Sequence, residues 1–350
     1  MVSSSPPIGA IRVRMVSTGG SLEDWVRTNR KIAGTVTDLN PVVIIAGPTA
    51  SGKSALALEV AREFSGTVIN ADSMQVYEDL SVLTARPGKA EEAAVPHRLF
   101  GVLPASEGCS AGRWLKMAAA EIETAWGGGR LPVMAGGTGL YLKVLTEGLA
   151  EIPDIADEFN EHANDLHDRL GGEAFKDELA KLDPVAARSL PAGDSQRLKR
   201  AMAVVRATGR PLADWQGEQA EGPGVAARFA TIALIPGRED LYAAIDARFD
   251  AMMAEGALDE VKALMARGLD PGLPAMKALG VPELGRHLAG QTTLENAVLA
   301  AKRATRNFAK RQLTWLRNQV AADCVIEAAY GSEGRDKAFS FVREFLAAGA

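Results

Sequence analysis

The sequence predicts an α/β protein with a parallel-sheet core interrupted by an all-helical insertion domain. Three observations carry this reading. Short β-branched runs bounded by glycines alternate with stretches of helical apolar spacing over residues 41–154. Strand signals then vanish over residues 155–222 and return at 230–235. A glycine loop of phosphate-binding type stands between the first run and the first helix.

The elements follow in order. Residues 1–40 are rich in Ser, Pro and Gly, lack the apolar run of a signal peptide, and read as a disordered extension, with Met15 as a second candidate start. Val42 to Ala46 is a buried strand that feeds the glycine loop and a helix over 52–64. Thr67 to Ala71 is a second strand, ending on Asp72, and Arg98 to Leu103 is a third candidate. Trp114, Ala118, Ile122 and Trp126 share one helical face, three glycines from Gly127 stop that helix, and Leu131 to Ala135 is the next strand.

From about Ile155 the texture changes. Phe159, Ala163, Leu166 and Leu170, then Phe175, Leu179 and Leu182, keep helical spacing, and Asp183-Pro184 and Leu190-Pro191 break the helices apart. A strand returns at Ala230 to Ile235, and everything after it reads as helical. The resulting division is a core of 41–154 and 223–325, an insertion of 155–222, and a C-terminal segment of 326–350.

Composition narrows the function classes. A chain of 350 residues that is 47% hydrophobic can bury a sizeable core. The formal net charge of -5 means that any nucleic acid is met by local basic patches. Two cysteines without C-x-x-C spacing argue against a disulfide framework or a zinc site and fit a reducing cytoplasm. His162 and His167 lack a metal-ligand pattern and read as surface residues. No apolar stretch is long enough to span a membrane. A monomer is the default expectation.

The loop Gly47-Pro48-Thr49-Ala50-Ser51-Gly52-Lys53-Ser54 matches G-x-x-x-x-G-K-[ST] in strand-to-helix context, which makes the core P-loop-type. Backbone N–H groups and a helix N-terminus cradle phosphate oxygens, a lysine adds a cation, and the Ser54 hydroxyl suits Mg²⁺. Later strands end in Gly136-Gly137 and Pro236-Gly237, without the carboxylate that NTP hydrolysis requires. Asp72 is the single strand-end acid and suits a base aimed at an acceptor.

After the loop come Asp72-Ser73-Met74-Gln75-Val76-Tyr77, Thr84-Ala85-Arg86-Pro87, Pro96-His97-Arg98-Leu99, Gly136-Gly137-Thr138-Gly139-Leu140-Tyr141, Gln196 to Arg200, Gly237 to Tyr242 and Ala309 to Arg317. This ordered set resembles the tRNA dimethylallyltransferase family over roughly Val42 to Arg317. The resemblance implies Mg²⁺-dependent transfer from dimethylallyl diphosphate to the exocyclic amine of the adenosine at position 37, in the tRNA anticodon stem-loop. Asp72 is then the base, and Lys53 with the amides of 49–54 stabilises the leaving diphosphate. Thr138 contacts the target nucleotide, or is a plain turn residue. Arg238 reaches the diphosphate, or is a surface arginine.

By the same resemblance tRNA is met by Asp72, Ser73, Met74, Gln75 and Thr138, by Asn160, and by Gln196, Arg197, Leu198, Lys199 and Arg200, which otherwise read as an exposed basic helix face; helical spacing adds Arg303, Arg306 and Lys310. The last three and Arg317 form a helical basic stripe suited to a phosphate backbone. Gln75 and Tyr77 are candidates to hold the extruded base, or are packing residues. Asn160 stands where the family usually has arginine, Gly280-Val-Pro-Glu283 where it commonly has G-Y-[KR]-E, and no Cys/His-rich tail follows. The alternatives are a P-loop small-molecule kinase, with Asp72 deprotonating a hydroxyl, and a non-catalytic nucleotide-binding RNA chaperone.

Overall fold

The computed structural model describes residues 39–150, 152–217, 222–328 and 330–349, so residues 1–38 of the predicted extension over 1–40 lie outside them. The chain divides into two compact units, one running to Thr146 and resuming at Val225, the other spanning Glu147–Gly224.

The first unit opens with β1 (Pro41–Ala46), α1 (Lys53–Glu63), β2 (Gly66–Asn70), α2 (Lys89–Ala94) and β3 (His97–Arg98). It continues through α3 (Ala111–Gly127), β4 (Leu131–Gly136) and α4 (Gly139–Glu147). The second unit holds α5 (Asp157–Ala180), α6 (Pro184–Ser189), α7 (Ser195–Thr208) and α8 (Leu212–Gly217). The first unit resumes with β5 (Arg228–Leu234), α9 (Arg238–Ala254), α10 (Ala257–Ala266), α11 (Val281–Leu288) and α12 (Leu294–Gln319). It ends with β6 (Cys324–Ile326) and α13 (Ser332–Ala347).

The six strands form one parallel sheet in the order β3-β2-β4-β1-β5-β6. β1 lies inside it, with Ile44 opposite Met134 of β4 on one side and Thr231 of β5 on the other. Its unbroken apolar run is explained by burial on both faces. Val42, Ile44 and Ala46 join the cluster that holds Trp114, Ala118 and Ile122 of α3. Val43 and Ile45 join Leu56 and Val60 of α1 on the opposite face. The loops after β1, β2 and β4 therefore meet at one sheet edge, where α/β proteins bind ligands.

Trp114 is fully buried, stacks on Tyr141 at 4.3 Å, and its Nε1 donates to Asn70 O at the end of β2 (2.9 Å). Trp126, expected on the same face, is half-buried and donates its Nε1 to Pro41 O (3.0 Å).

Three expectations need correction. The candidate strand over 98–103 ends at Arg98, because Leu99 (φ 63°) and Gly101 (φ 58°) turn the backbone; only Leu103 regains a bridge, to Tyr77. The chain after Ile235 is not wholly helical, since Cys324–Ile326 pairs with β5 at the sheet edge. Three residues are too few to show a period of two. His167 is half-buried rather than superficial, its ring edge-on to Phe175 at 5.2 Å. His162 is exposed.

The second unit has its own core, in which Ala163, Leu166, Phe175, Leu179, Leu198 and Met202 are buried together. α5 kinks at Gly171 (φ 75°), and Asp183 caps α6 by accepting from the Ala186 N–H (2.9 Å). Among the described residues no helix is long and apolar enough to cross a membrane.

Candidate active site

The glycine loop joins β1 to α1. Gly52 has φ +84°, and a Cβ there would come within 2.4 Å of the Tyr330 Cβ, so no other residue fits. Tyr330 is fastened by a hydrogen bond from its hydroxyl to Glu59 of α1. The N–H groups of Lys53 and Ser54 open the first turn of α1, where no carbonyl partner exists inside the helix. Two other loop amides are spent within the protein. The Ser51 N–H donates to Pro48 O (3.3 Å) and the Thr49 N–H to Gln312 Oε1 (2.8 Å). The Ser51 hydroxyl is buried with no partner among the described residues.

Charge at the loop is unbalanced. Among the described residues Lys53 Nζ has only a long contact, to Pro48 O (3.3 Å). Burial pushes this amine down to about 8, with Asp72 opposing the shift and Arg248 adding to it. Arg248, on α9, donates to the Thr49 hydroxyl, and burial lowers its basicity while Asp72 raises it. Two partly desolvated cations thus feel one carboxylate without an ion pair to it, and an anion bound at the loop would relieve both. Arg248 also lines a cleft of about 580 Å³ with Val82, Ala85, Arg86 and Met252.

Asp72 is held from its own strand. Asn70 Oδ1 accepts the Asp72 N–H (2.7 Å), and Asn70 Nδ2 donates to Asp72 O and Leu99 O (both 3.0 Å). The Asp72 carboxylate accepts the Met74 N–H (2.9 Å). Thr138 adds a third tether: its hydroxyl oxygen accepts the Ser73 N–H (2.9 Å) and lies 3.3 Å from the Ser73 hydroxyl. Thr138 therefore fixes the segment that carries Asp72.

The remaining expected residues are placed as follows. Gln75 Nε2 donates to Thr84 O (2.8 Å) and Ala85 O (3.1 Å). That loop is itself set by Glu260, whose carboxylate accepts the N–H groups of Ser81, Val82 and Leu83 at 2.6–2.9 Å. Met74 is half-buried against the core. Tyr77 is fully buried, so of its two readings packing wins over stacking on a base. Arg238 is exposed, with its guanidinium over the Tyr242 ring (5.2 Å). The arginine at the loop is Arg248.

On α12, Arg303, Lys310 and Arg317 are exposed, but Arg306 is ion-paired to Asp246 of α9 (2.5 Å). The available stripe is shorter than the spacing implied, because α9 lays carboxylates along one side of it. In the second unit Leu198 is fully buried and cannot touch RNA; its place is the helix core. Gln196, Arg197 and Arg200 are exposed, Arg197 pairing with Asp194 (2.8 Å) and Lys199 with Asp168 (3.2 Å). Asn160 is half-buried in the first turn of α5.

Sequence reading missed Arg248, Asn70 and Gln312. A signal existed for two of them. Arg248 is in phase with buried Leu241, Ile245 and Met252, and Gln312 with buried Ala301, Thr305, Ala309 and Leu316. A polar residue on an apolar stripe must find a partner inside.

Anion capture beside a tethered carboxylate, at the carboxyl edge of a parallel sheet, is the plan of P-loop group-transfer proteins. Comparison with known proteins narrows the class. Residues 75–319 match the family model described as IPP transferase, and residues 40–100 that described as isopentenyl transferase. The chain is 57% identical over 294 residues to a tRNA dimethylallyltransferase of Rhodospirillum centenum, covering 81% of this chain and 93% of that protein. It is 50% identical over 306 residues to one from Rhodospirillum rubrum, covering 87% and 94%.

Among solved structures, a full-length tRNA isopentenylpyrophosphate transferase from Bacillus halodurans superposes with TM-score 0.64 at 31% identity, covering 89% of this chain and 98% of that one. A eukaryotic dimethylallyltransferase acting on tRNA superposes with TM-score 0.76 at 26% identity, covering 88% and 80%. The chain belongs to the tRNA dimethylallyltransferase (IPP transferase) family.

Proposed function

We propose that this protein transfers a dimethylallyl group from dimethylallyl diphosphate to the exocyclic amine of the adenosine at tRNA position 37, releasing diphosphate. The observation that carries the reading is that two half-buried cations, Lys53 and Arg248, gather at the glycine loop within electrostatic reach of Asp72. The amine nitrogen forms a bond to the allylic carbon as the carbon–oxygen bond breaks and the electron pair leaves with the diphosphate. Lys53, Arg248 and the first-turn amides of α1 meet that growing charge. The amine proton passes to the Asp72 carboxylate, held in place by Asn70 and the Met74 N–H. The target base must leave the anticodon-loop stack to reach it.

Among the described residues no cluster of three or more His, Cys, Asp or Glu side chains is placed to hold a metal ion. Mg²⁺ fits only as an ion shared with the substrate, since it accepts one or two protein oxygens plus phosphate oxygens. Ser54, exposed at the start of α1, is the residue that would hold it, and the ion would supply further charge neutralisation. We read the protein as a cytoplasmic monomer. The two free cysteines fit a reducing compartment.

RNA contact should divide the α12 stripe. Lys310→Ala is expected to lower the slope of log affinity against log salt by about 1, the value for one lost phosphate contact. Arg306→Ala, which breaks an internal ion pair, should leave the slope within about 0.3 of wild type. Slopes equal to wild type in both variants would remove α12 from the RNA surface, and an equal loss in both would place Arg306 on that surface as well.

The functional test is direct. Unmodified tRNA with adenosine at positions 36 and 37 is incubated with protein, Mg²⁺ and dimethylallyl diphosphate, then digested to nucleosides and weighed. A gain of one dimethylallyl group with diphosphate release supports the reading. No gain, with ATP consumed in a parallel reaction, replaces it with the kinase.

A further inference from the structure

Gln312 is a polar side chain on the apolar face of α12, 5% exposed, with both ends of its amide committed. Its Oε1 accepts the Thr49 N–H of the glycine loop (2.8 Å), and its Nε2 donates to Gly137 O in the loop after β4 (2.9 Å). The first loop holds the Lys53 end of the site. The second carries Thr138, which tethers Ser73 beside Asp72. One side chain therefore spans the donor side and the acceptor side.

The approach is close enough to dictate residues. A Cβ at Gly137 would lie 2.4 Å from Gln312 Nε2 and 2.7 Å from Gly47 O. A Cβ at Gly139 would lie 2.3 Å from the Trp315 ring, one turn along the same face of α12. The Gly-Gly-Thr-Gly loop is shaped to receive Gln312 and Trp315. Because the Thr49 N–H is given to Gln312, that amide is not part of the phosphate cradle. Its bond sets the loop's curvature instead.

We propose that Gln312 is a positioning residue for the transfer, holding the Thr49 turn and the Gly137–Thr138 loop in register so that the donor diphosphate and Asp72 keep a fixed separation. This rests on the prenyl-transfer reading. Gln312 touches neither substrate; it acts through Thr49 and Gly137.

The test uses the full chain, with wild type run alongside. Gln312→Met keeps the volume and removes both hydrogen bonds. It should lower kcat at least tenfold and weaken inorganic diphosphate binding three- to tenfold, while the KM for tRNA stays within twofold. Gln312→Glu keeps the acceptor for Thr49 but sets a carboxylate against the Gly137 carbonyl. Its activity should recover as pH falls and the acid gains an O–H to donate, a profile that a packing role would not produce. A kcat for Gln312→Met within twofold of an active wild type overturns the proposal. So does a rise in tRNA KM with diphosphate affinity unchanged, which would assign Gln312 to the RNA face. If Gln312→Met does not fold, the pH profile of Gln312→Glu decides. If wild type itself transfers nothing, the functional reading fails, and the diphosphate arm still reports whether Gln312 sets the loop.

Discussion

Asp72→Asn should cut prenyl transfer by about a thousandfold, within the range for loss of a positioned general base, while diphosphate binds at least as tightly as in wild type. The two halves of this expectation have different causes. The clamp on residue 72 comes from Asn70 acting on backbone atoms, and the Met74 N–H can still be accepted by an amide oxygen, so the side chain stays in place. What disappears is an acceptor for the amine proton. What also disappears is the negative charge that partly offsets Lys53 and Arg248, leaving a more cationic site for the anion. Single-turnover transfer with saturating tRNA and calorimetric titration of diphosphate measure the two separately. A loss of less than tenfold would retire Asp72 as base. Weaker diphosphate binding would show that Asp72 helps to organise the loop.

Much of this site was legible in the chain because local chemistry dictates it. A strand of Val and Ile, a glycine loop and a helix specify Gly47 to Ser54 within one short segment, and Asp72 follows the next strand directly. What was hidden depends on contacts between distant parts of the chain. Thr49 meets Arg248 and Gln312, 199 and 263 residues away; Arg248 lies in no recognised motif, and Gln312 lies in Ala309 to Arg317, whose spacing shows a basic stripe and gives the amide no task. Leu198 shows the converse error. It sits within a basic run, yet helix phase buries it with Ala201 and Met202. Tyr77 follows the same rule, since a large aromatic behind a strand fills the core before it reaches a ligand. The edge strand Cys324–Ile326 escaped because it depends on pairing with β5, and Asp323 secures that register by accepting the Thr231 N–H (2.8 Å).

Lys53→Met should act in opposite directions on stability and on binding. In the free protein the amine titrates near 8 because burial disfavours its charged form, against 10.5 in the unfolded chain. A depressed lysine pKa makes folding less favourable below 8, where the charge is present in both states, and that penalty fades as pH rises from 8 toward 10.5. A shift of this size corresponds to at most about 3 kcal/mol. Methionine keeps the stem and removes the charge, so the free variant should melt a few degrees higher than wild type at neutral pH. The gain should shrink as pH rises above 8 and be gone above about 10.5. Diphosphate affinity should fall at least a hundredfold, because the cation nearest the loop's helix N-terminus is gone and Arg248 alone remains. Wild type should also take up a proton on binding diphosphate above pH 8, as the bound anion restores the charged amine, and Lys53→Met should not. Melting curves across pH, with diphosphate titrations in two buffers of different ionisation enthalpy, read each part. A variant that melts lower at neutral pH and still takes up the proton would place the titrating group elsewhere, and Arg248 would then be the cation to examine.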